Sequence, residues 1–111
     1  MTPRFVVELM KTVGRLAMPA DSQISYLRSN QLFDNSDELA LEFDAMFVMV
    51  PQFLDDGWLN VDETAHLSIL NSLLDNMSGP GCEHLWTWAA LETEQSWIEV
   101  RDAASKVFCV R

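Results

Sequence analysis

The sequence predicts an all-α fold, a compact single-domain bundle of about five or six helices spanning residues 1–111, and three observations carry that expectation. Apolar residues recur at helical spacing in one segment after another. Capping residues, prolines and glycines mark the helix starts and stops. No strand signal competes, because the chain has no Asn-Gly hairpin and no convincing run of β-branched residues.

Thr2 and Pro3 mark the first start, with Thr as N-cap and Pro at the first helical position. Phe5, Val6, Leu9, Val13 and Leu16 then form the apolar stripe of a helix over about 3–17. Arg4, Glu8, Lys11 and Arg15 line its other side as a solvated face, where Glu8 can pair with a basic neighbour. Pro19 closes this helix. Asp21 or Ser22 caps a short second one that carries Ile24, Tyr26 and Leu27 and frays near Asn30. Phe33 to Glu38 reads as a turn leading into an acidic first turn, with Asn35 and Glu38 as a capping pair.

The third helix, about 36–50, has Leu39, Phe43, Met46 and Val50 on one face and Leu41 and Val48 nearly opposite. A helix apolar on two sides is either central to a bundle, the expectation here, or packed on one side and covered by a partner on the other. Pro51 bends or ends it at Val50, and Asp55-Asp56-Gly57 is a stop in which Gly57 takes the left-handed C′ conformation. Asn60 and Glu63 form a second capping box and open a helix over about 61–77. Its expected core face is His66, Ile69, Leu70, Leu73, Leu74 and Met77. Ser78-Gly79-Pro80-Gly81 ends it. The aromatic segment Cys82 to Leu91 reads as a helix, with an extended stretch as the alternative. Thr93 caps a last helix over about 94–108 with Trp97, Val100, Ala104, Val107 and Phe108 as its stripe.

Charge is segregated along the chain. Residues 29–100 hold fourteen Asp and Glu and no Lys or Arg, whereas residues 1–28 and 101–111 each carry a net +2, giving −10 overall. That balance repels nucleic-acid phosphate and anionic lipid and favours a cationic protein surface, so neither nucleic acid nor membrane is an expected partner. Uniform acidity, as in a generally solubilised protein, would not spare both ends. Two cysteines make neither a disulfide framework nor a metal set, which suits a reduced, cytoplasmic setting. Glu8, Lys11 and Arg15 interrupt any signal-peptide core, and no run approaches the ~20 apolar residues that span a bilayer.

The motifs that could carry chemistry are incomplete. Glu63-x-x-His66 has the spacing of one ligand pair of a di-iron bundle, but such a site needs a second pair and two further Glu. Cys82-Glu83-His84 falls short of the about four ligands of a zinc site. Asp56 to Glu63 echoes the second half of an EF-hand loop, with Gln52 and Leu54 where its first carboxylates belong. There is no Gly-x-Ser-x-Gly elbow and no cysteine in a basic surround. The expectation is a protein that is no enzyme and needs no cofactor and no metal. Of the four Trp, Trp97 is expected in the core and Trp58, beside Asp55, Asp56 and Asp62, partly exposed as a contact anchor.

The stretches LFDNSDELALEFDAMFVMV, FLDDGWL, LLDNMSG, LWTWAALE and WIEVRDAA, within residues 32–107, resemble a bacterial immunity protein of the contact-dependent growth inhibition type. The resemblance implies a cytosolic protein that binds a cognate basic toxin domain, commonly a nuclease, and occludes its active-site cleft. Such proteins have no fixed motif for the toxin-binding residues, so none is transferred. From charge and position alone, the expected partner-binding residues are Asp34, Asp37, Glu38, Asp55, Asp56, Trp58, Asp62 and Glu63. A helical adaptor or regulator of another basic protein is the alternative.

Overall fold

A computed structural model describes residues 3–30 and 35–111. Thr2 and Asp34, and with them the expected first cap and part of the turn before the third helix, lie outside the described residues. The all-α expectation holds. Seven α-helices follow one another among the described residues: α1 (Arg4–Ala17), α2 (Ala20–Asn30), α3 (Asp37–Phe47), α4 (Val50–Asp55), α5 (Val61–Asn76), α6 (Trp88–Thr93) and α7 (Gln95–Cys109), with a 3-10 turn at Glu83–Trp86. The count of seven exceeds the expected five or six because the predicted third helix divides in two; a second predicted segment also divides, but into a 3-10 turn and one α-helix.

The first division falls at Val48 and Met49. The expected long third helix ends at Phe47, and Pro51, in the first turn of a new helix, starts α4 without breaking Val50 out of helical geometry. The second divides Cys82 to Leu91 into the 3-10 turn and α6. Thr87 caps α6 by accepting a hydrogen bond from the Ala90 N–H at 3.1 Å. The expected Thr93 cap does not form, because Thr93 is the last residue of α6 and Glu94 stands at the start of α7. The Asn35/Glu38 pair is also replaced. Ser36 is the N-cap residue of α3, and Asn35 instead accepts from the Asp37 N–H at 2.6 Å.

Val6, Leu9, Val13 and Leu16 on α1 meet Leu39 and Phe43 on α3, and α7 brings Trp97, Val100, Ala104 and Val107 between α1 and α5. Trp97 is fully buried, as expected. Its indole N–H donates to the Leu85 carbonyl at 2.6 Å, and its ring stands edge-on to Trp86. Phe108, expected in the α7 stripe, is exposed at its edge and lies against Gly14 of α1. The core face of α5 differs from the expected one. Glu63, Leu67, Leu70, Leu74 and Met77 are buried, while His66 and Leu73 are half-buried and Ile69 is exposed. The capping box turns Glu63 inward, and the buried set follows from it at helical intervals.

Neither Asp21 nor Ser22 starts α2. The Pro19 carbonyl accepts from the Gln23 N–H at 3.0 Å, so the second helix begins as soon as the proline has ended the first. Ending α1 there leaves carbonyls without helical partners. The buried Gln23 amide donates to two of them, on Arg15 and Leu16, both at 3.1 Å. Arg101 of α7 completes the joint, donating to the Gln23 side chain at 3.2 Å and to the Leu91 carbonyl at 2.7 Å.

Candidate functional site

The acidic loop between α4 and α5 is built almost wholly from cap geometry. The Trp58 N–H donates to the Phe53 carbonyl at 2.9 Å and the Gly57 N–H to the Leu54 carbonyl at 3.1 Å, the double bond of a Schellman stop, with Gly57 at φ +79°. Leu59 is buried beneath it. Asn60 then opens α5: its side chain accepts from the Glu63 N–H at 2.7 Å, and the Glu63 carboxylate accepts from the Asn60 N–H at 2.9 Å. Asn60 also donates to the Val110 carbonyl at 3.2 Å, tying the loop to the end of α7. Asp55, Asp56 and Asp62 are therefore exposed carboxylates on a backbone whose geometry is already fixed, and Trp58 between them is 41 % exposed.

Glu63 does not belong to this surface. It is 5 % exposed, one carboxylate oxygen is committed to the cap, and the other lies 3.5 Å from the Arg111 guanidinium. Its role is to hold the loop. Asp37 and Glu38 are exposed on the first turn of α3, but at the far end of the molecule. Asp37 shares a furrow with Ser78 and Gly79, just past the end of α5, whereas Val50, Pro51 and Leu54 share one with Thr64 and Ser68 near its start. α3–α4 and α5 thus run antiparallel, and the length of α5, 16 residues or about 24 Å, separates the two acidic groups.

Few carboxylates of the anionic block find an internal counter-charge. Among the described residues the ion pairs are Lys11–Glu8, Arg15–Glu42, Lys106–Asp102 and Arg111–Glu63. None uses Asp37, Glu38, Asp55, Asp56 or Asp62. Meanwhile Arg101 is drawn inward, where burial lowers its pKa, and Arg28 lies over the Trp88 ring at 5.4 Å. Arg15 lies over the Tyr26 ring at 4.9 Å and is 3.5 Å from Glu42, which accepts the Tyr26 hydroxyl proton in a 2.6 Å hydrogen bond. Burial first, then the bond to Glu42 and its charge, push the Tyr26 phenol up to about 12, with Arg15 pulling the other way.

Two exposed apolar residues accompany the acids and were placed elsewhere by the sequence. Leu41 is 59 % and Val48 74 % exposed, so the second apolar face of the predicted third helix is on the surface and not central to the bundle. The reason is that α3 rests chiefly on α1 and α5 on α7, leaving the outer side of α3 uncovered by the described residues. The two-sided pattern of the sequence did signal it, through the alternative of a helix covered by a partner.

Among the described residues no three His, Cys, Asp or Glu side chains converge as metal ligands, and no helix is long and apolar enough to cross a membrane. Compared with known proteins, the chain matches no family model, no curated relative and no solved structure.

Proposed function

We propose that this chain is an immunity-type inhibitor: a helical protein that binds a basic protein domain, a nuclease toxin of the RNase kind, and occludes its cationic cleft with carboxylates held on rigid helix ends. The observation that carries the reading is the set of exposed Asp37, Glu38, Asp55, Asp56 and Asp62, none of them ion-paired among the described residues, in a stretch without one Lys or Arg. A nuclease cleft is positive because it holds phosphates, and charge complementarity raises the rate of encounter more than it raises raw affinity. Such a protein acts by binding, without catalysis or cofactor, and works in the cytoplasm, where a nuclease toxin meets its substrate.

The test is coexpression with the toxin domain encoded beside the gene. Restored growth and copurification are expected. A domain that still kills and does not copurify removes the proposal, and copurification of another basic protein in its place would favour the adaptor. Replacing Asp55→Lys and Asp56→Lys together should lower the association rate about tenfold at low salt and flatten its salt dependence. An unchanged rate would move the contact away from this loop.

A further inference from the structure

The furrow between α3–α4 and α5 has a shape and charge of its own. Three cavities lie along it, the first two sharing Ala40, Leu41 and Ser78. The first lies beside Asp37, Leu41 and Ser78, the second beside Leu41, Asp44, Asn71 and Asp75, and the third, about 490 Å³, beside Val48, Pro51, Leu54 and Ser68. Residue numbers rise along α3–α4 as they fall along α5, so the three follow one another along the trough between the two helices. The splay has a cause: α3 packs chiefly on α1 and α5 on α7, and the two touch each other far less than either touches its main partner. The break at Val48 and Met49 and the new start at Pro51 widen one end into the largest, most apolar cup.

Its chemistry is layered. Leu41 and Val48, seven residues and about two turns apart, form an apolar line on the α3 side. Asp37 and Asp44 repeat at the same interval, so one row of carboxylates runs beside one row of apolar side chains. Asp75 stands on the opposite wall and Glu83 at the end, and residues 29–100 offer no cation to neutralise them. No sheet edge exists among the described residues to receive a strand.

We infer that this trough docks a cationic amphipathic helix of the partner protein, with its apolar stripe on Leu41 and Val48, an apolar anchor in the cup by Pro51, and Lys or Arg side chains reaching the carboxylates on both walls. The mode is helix-in-groove recognition: the furrow runs along two antiparallel helices, and ligand side chains spaced at i, i+3, i+4 and i+7 match the seven-residue repeat of the wall. The inference rests on the proposed affinity for a basic protein and names the element that makes the contact. It shifts the centre of the interface from the Asp55–Asp62 loop to the trough, with the loop as one rim.

The probe is a labelled synthetic peptide of about 18 residues, ~27 Å long as a helix, built of Leu on one face and Lys on the others. A scrambled peptide of the same composition is the control, and binding to the full chain is read by fluorescence anisotropy. The patterned peptide should bind at least tenfold tighter than the scrambled one. Leu41→Glu and Val48→Glu, both at exposed positions and with unchanged melting temperature, should each weaken it about tenfold, while Ile98→Glu on α7 leaves it within about twofold. Equal binding of both peptides, steeply salt-dependent and indifferent to Leu41→Glu, would overturn the trough and leave the basic-partner reading standing. No binding of either peptide at low salt would overturn both. Dimerisation of the free protein that is lost in Val48→Glu, without peptide binding, would assign the trough to a second copy and overturn the inference too.

Discussion

Glu63 decides whether the acidic loop is a structure or only a sequence feature, and Glu63→Ala tests it. The substitution removes the acceptor of the 2.9 Å bond from the Asn60 N–H and vacates a side chain that is 5 % exposed. A hydrogen bond to a charged acceptor contributes about 1.5–3 kcal/mol, and the low end applies here because the freed N–H sits on an exposed residue that water can reach. Lost packing of the side-chain methylenes adds up to about 1 kcal/mol. Against these stands relief of a buried charge whose second oxygen has only Arg111, 3.5 Å away and itself 40 % exposed, as its ionic partner. The net loss is roughly 1.5–2.5 kcal/mol, equivalent to about 6–10 °C in melting temperature for a chain of this length. Glu63→Gln keeps the acceptor and should cost less than about 1 kcal/mol, and Asp62→Ala, next in sequence but exposed, within about 0.5 kcal/mol. Urea unfolding followed by far-ultraviolet circular dichroism, with unchanged slope, measures all three. A loss for Glu63→Ala no larger than that for Asp62→Ala would refute the capping role and return Glu63 to the binding surface.

Two further outcomes follow from single positions. Tyr26, the one tyrosine of the chain, ordinarily titrates at 10.0 and is raised to about 12 in the fold. The folded state therefore favours the protonated phenol. Its contribution is complete below pH 10 and falls away as pH rises through about 12. Tyrosinate absorbance should show the high step, and Glu42→Gln should bring it back toward 10; a wild-type step at 10 refutes the half-buried Tyr26–Glu42 bond. Gly57, at φ +79° with nothing within 4 Å of an added Cβ, should lose about 1–2 kcal/mol on Gly57→Ala from conformation alone, and distinctly less on Gly57→Asn. Equal losses would mean that the left-handed turn is not what stops α4.

What the sequence could and could not convey depends on the range of each interaction. The Gly57 stop and the Asn60/Glu63 box were legible because they close within a few residues, and their side chains have few other uses there. Glu63 was then misjudged as a partner residue because its burial comes from Arg111 and the end of α7, far along the chain. The Gln23–Arg101 joint was invisible for the same reason: nothing in a lone glutamine announces that it will receive a helix end and an arginine 78 residues away. The α5 stripe was placed one step around the helix. Leu67, Ile69, Leu70, Leu73 and Leu74 admit more than one apolar face, and the inward turn of Glu63 selects among them.

The distribution of cations sharpens what the acidity means. A chain with 17 Asp and Glu and seven Lys and Arg could have placed its cations among the carboxylates and relieved their mutual repulsion. Instead Arg101 holds Gln23 and a carbonyl, Arg28 lies over an indole, and Arg15 and Arg111 serve the half-buried Glu42 and the buried Glu63. Each of these contacts maintains the fold. Asp37, Asp44 and Asp75, all exposed and in none of these pairs, line the trough with Glu83 at its end, in the same furrow as Leu41 and Val48. Solubility alone would account for dispersed acids, but not for the alignment of Asp37 and Asp44 with the uncovered apolar row of Leu41 and Val48. A face that is apolar along its middle and negative along both sides loses least free energy when a positively charged, apolar-striped surface covers it.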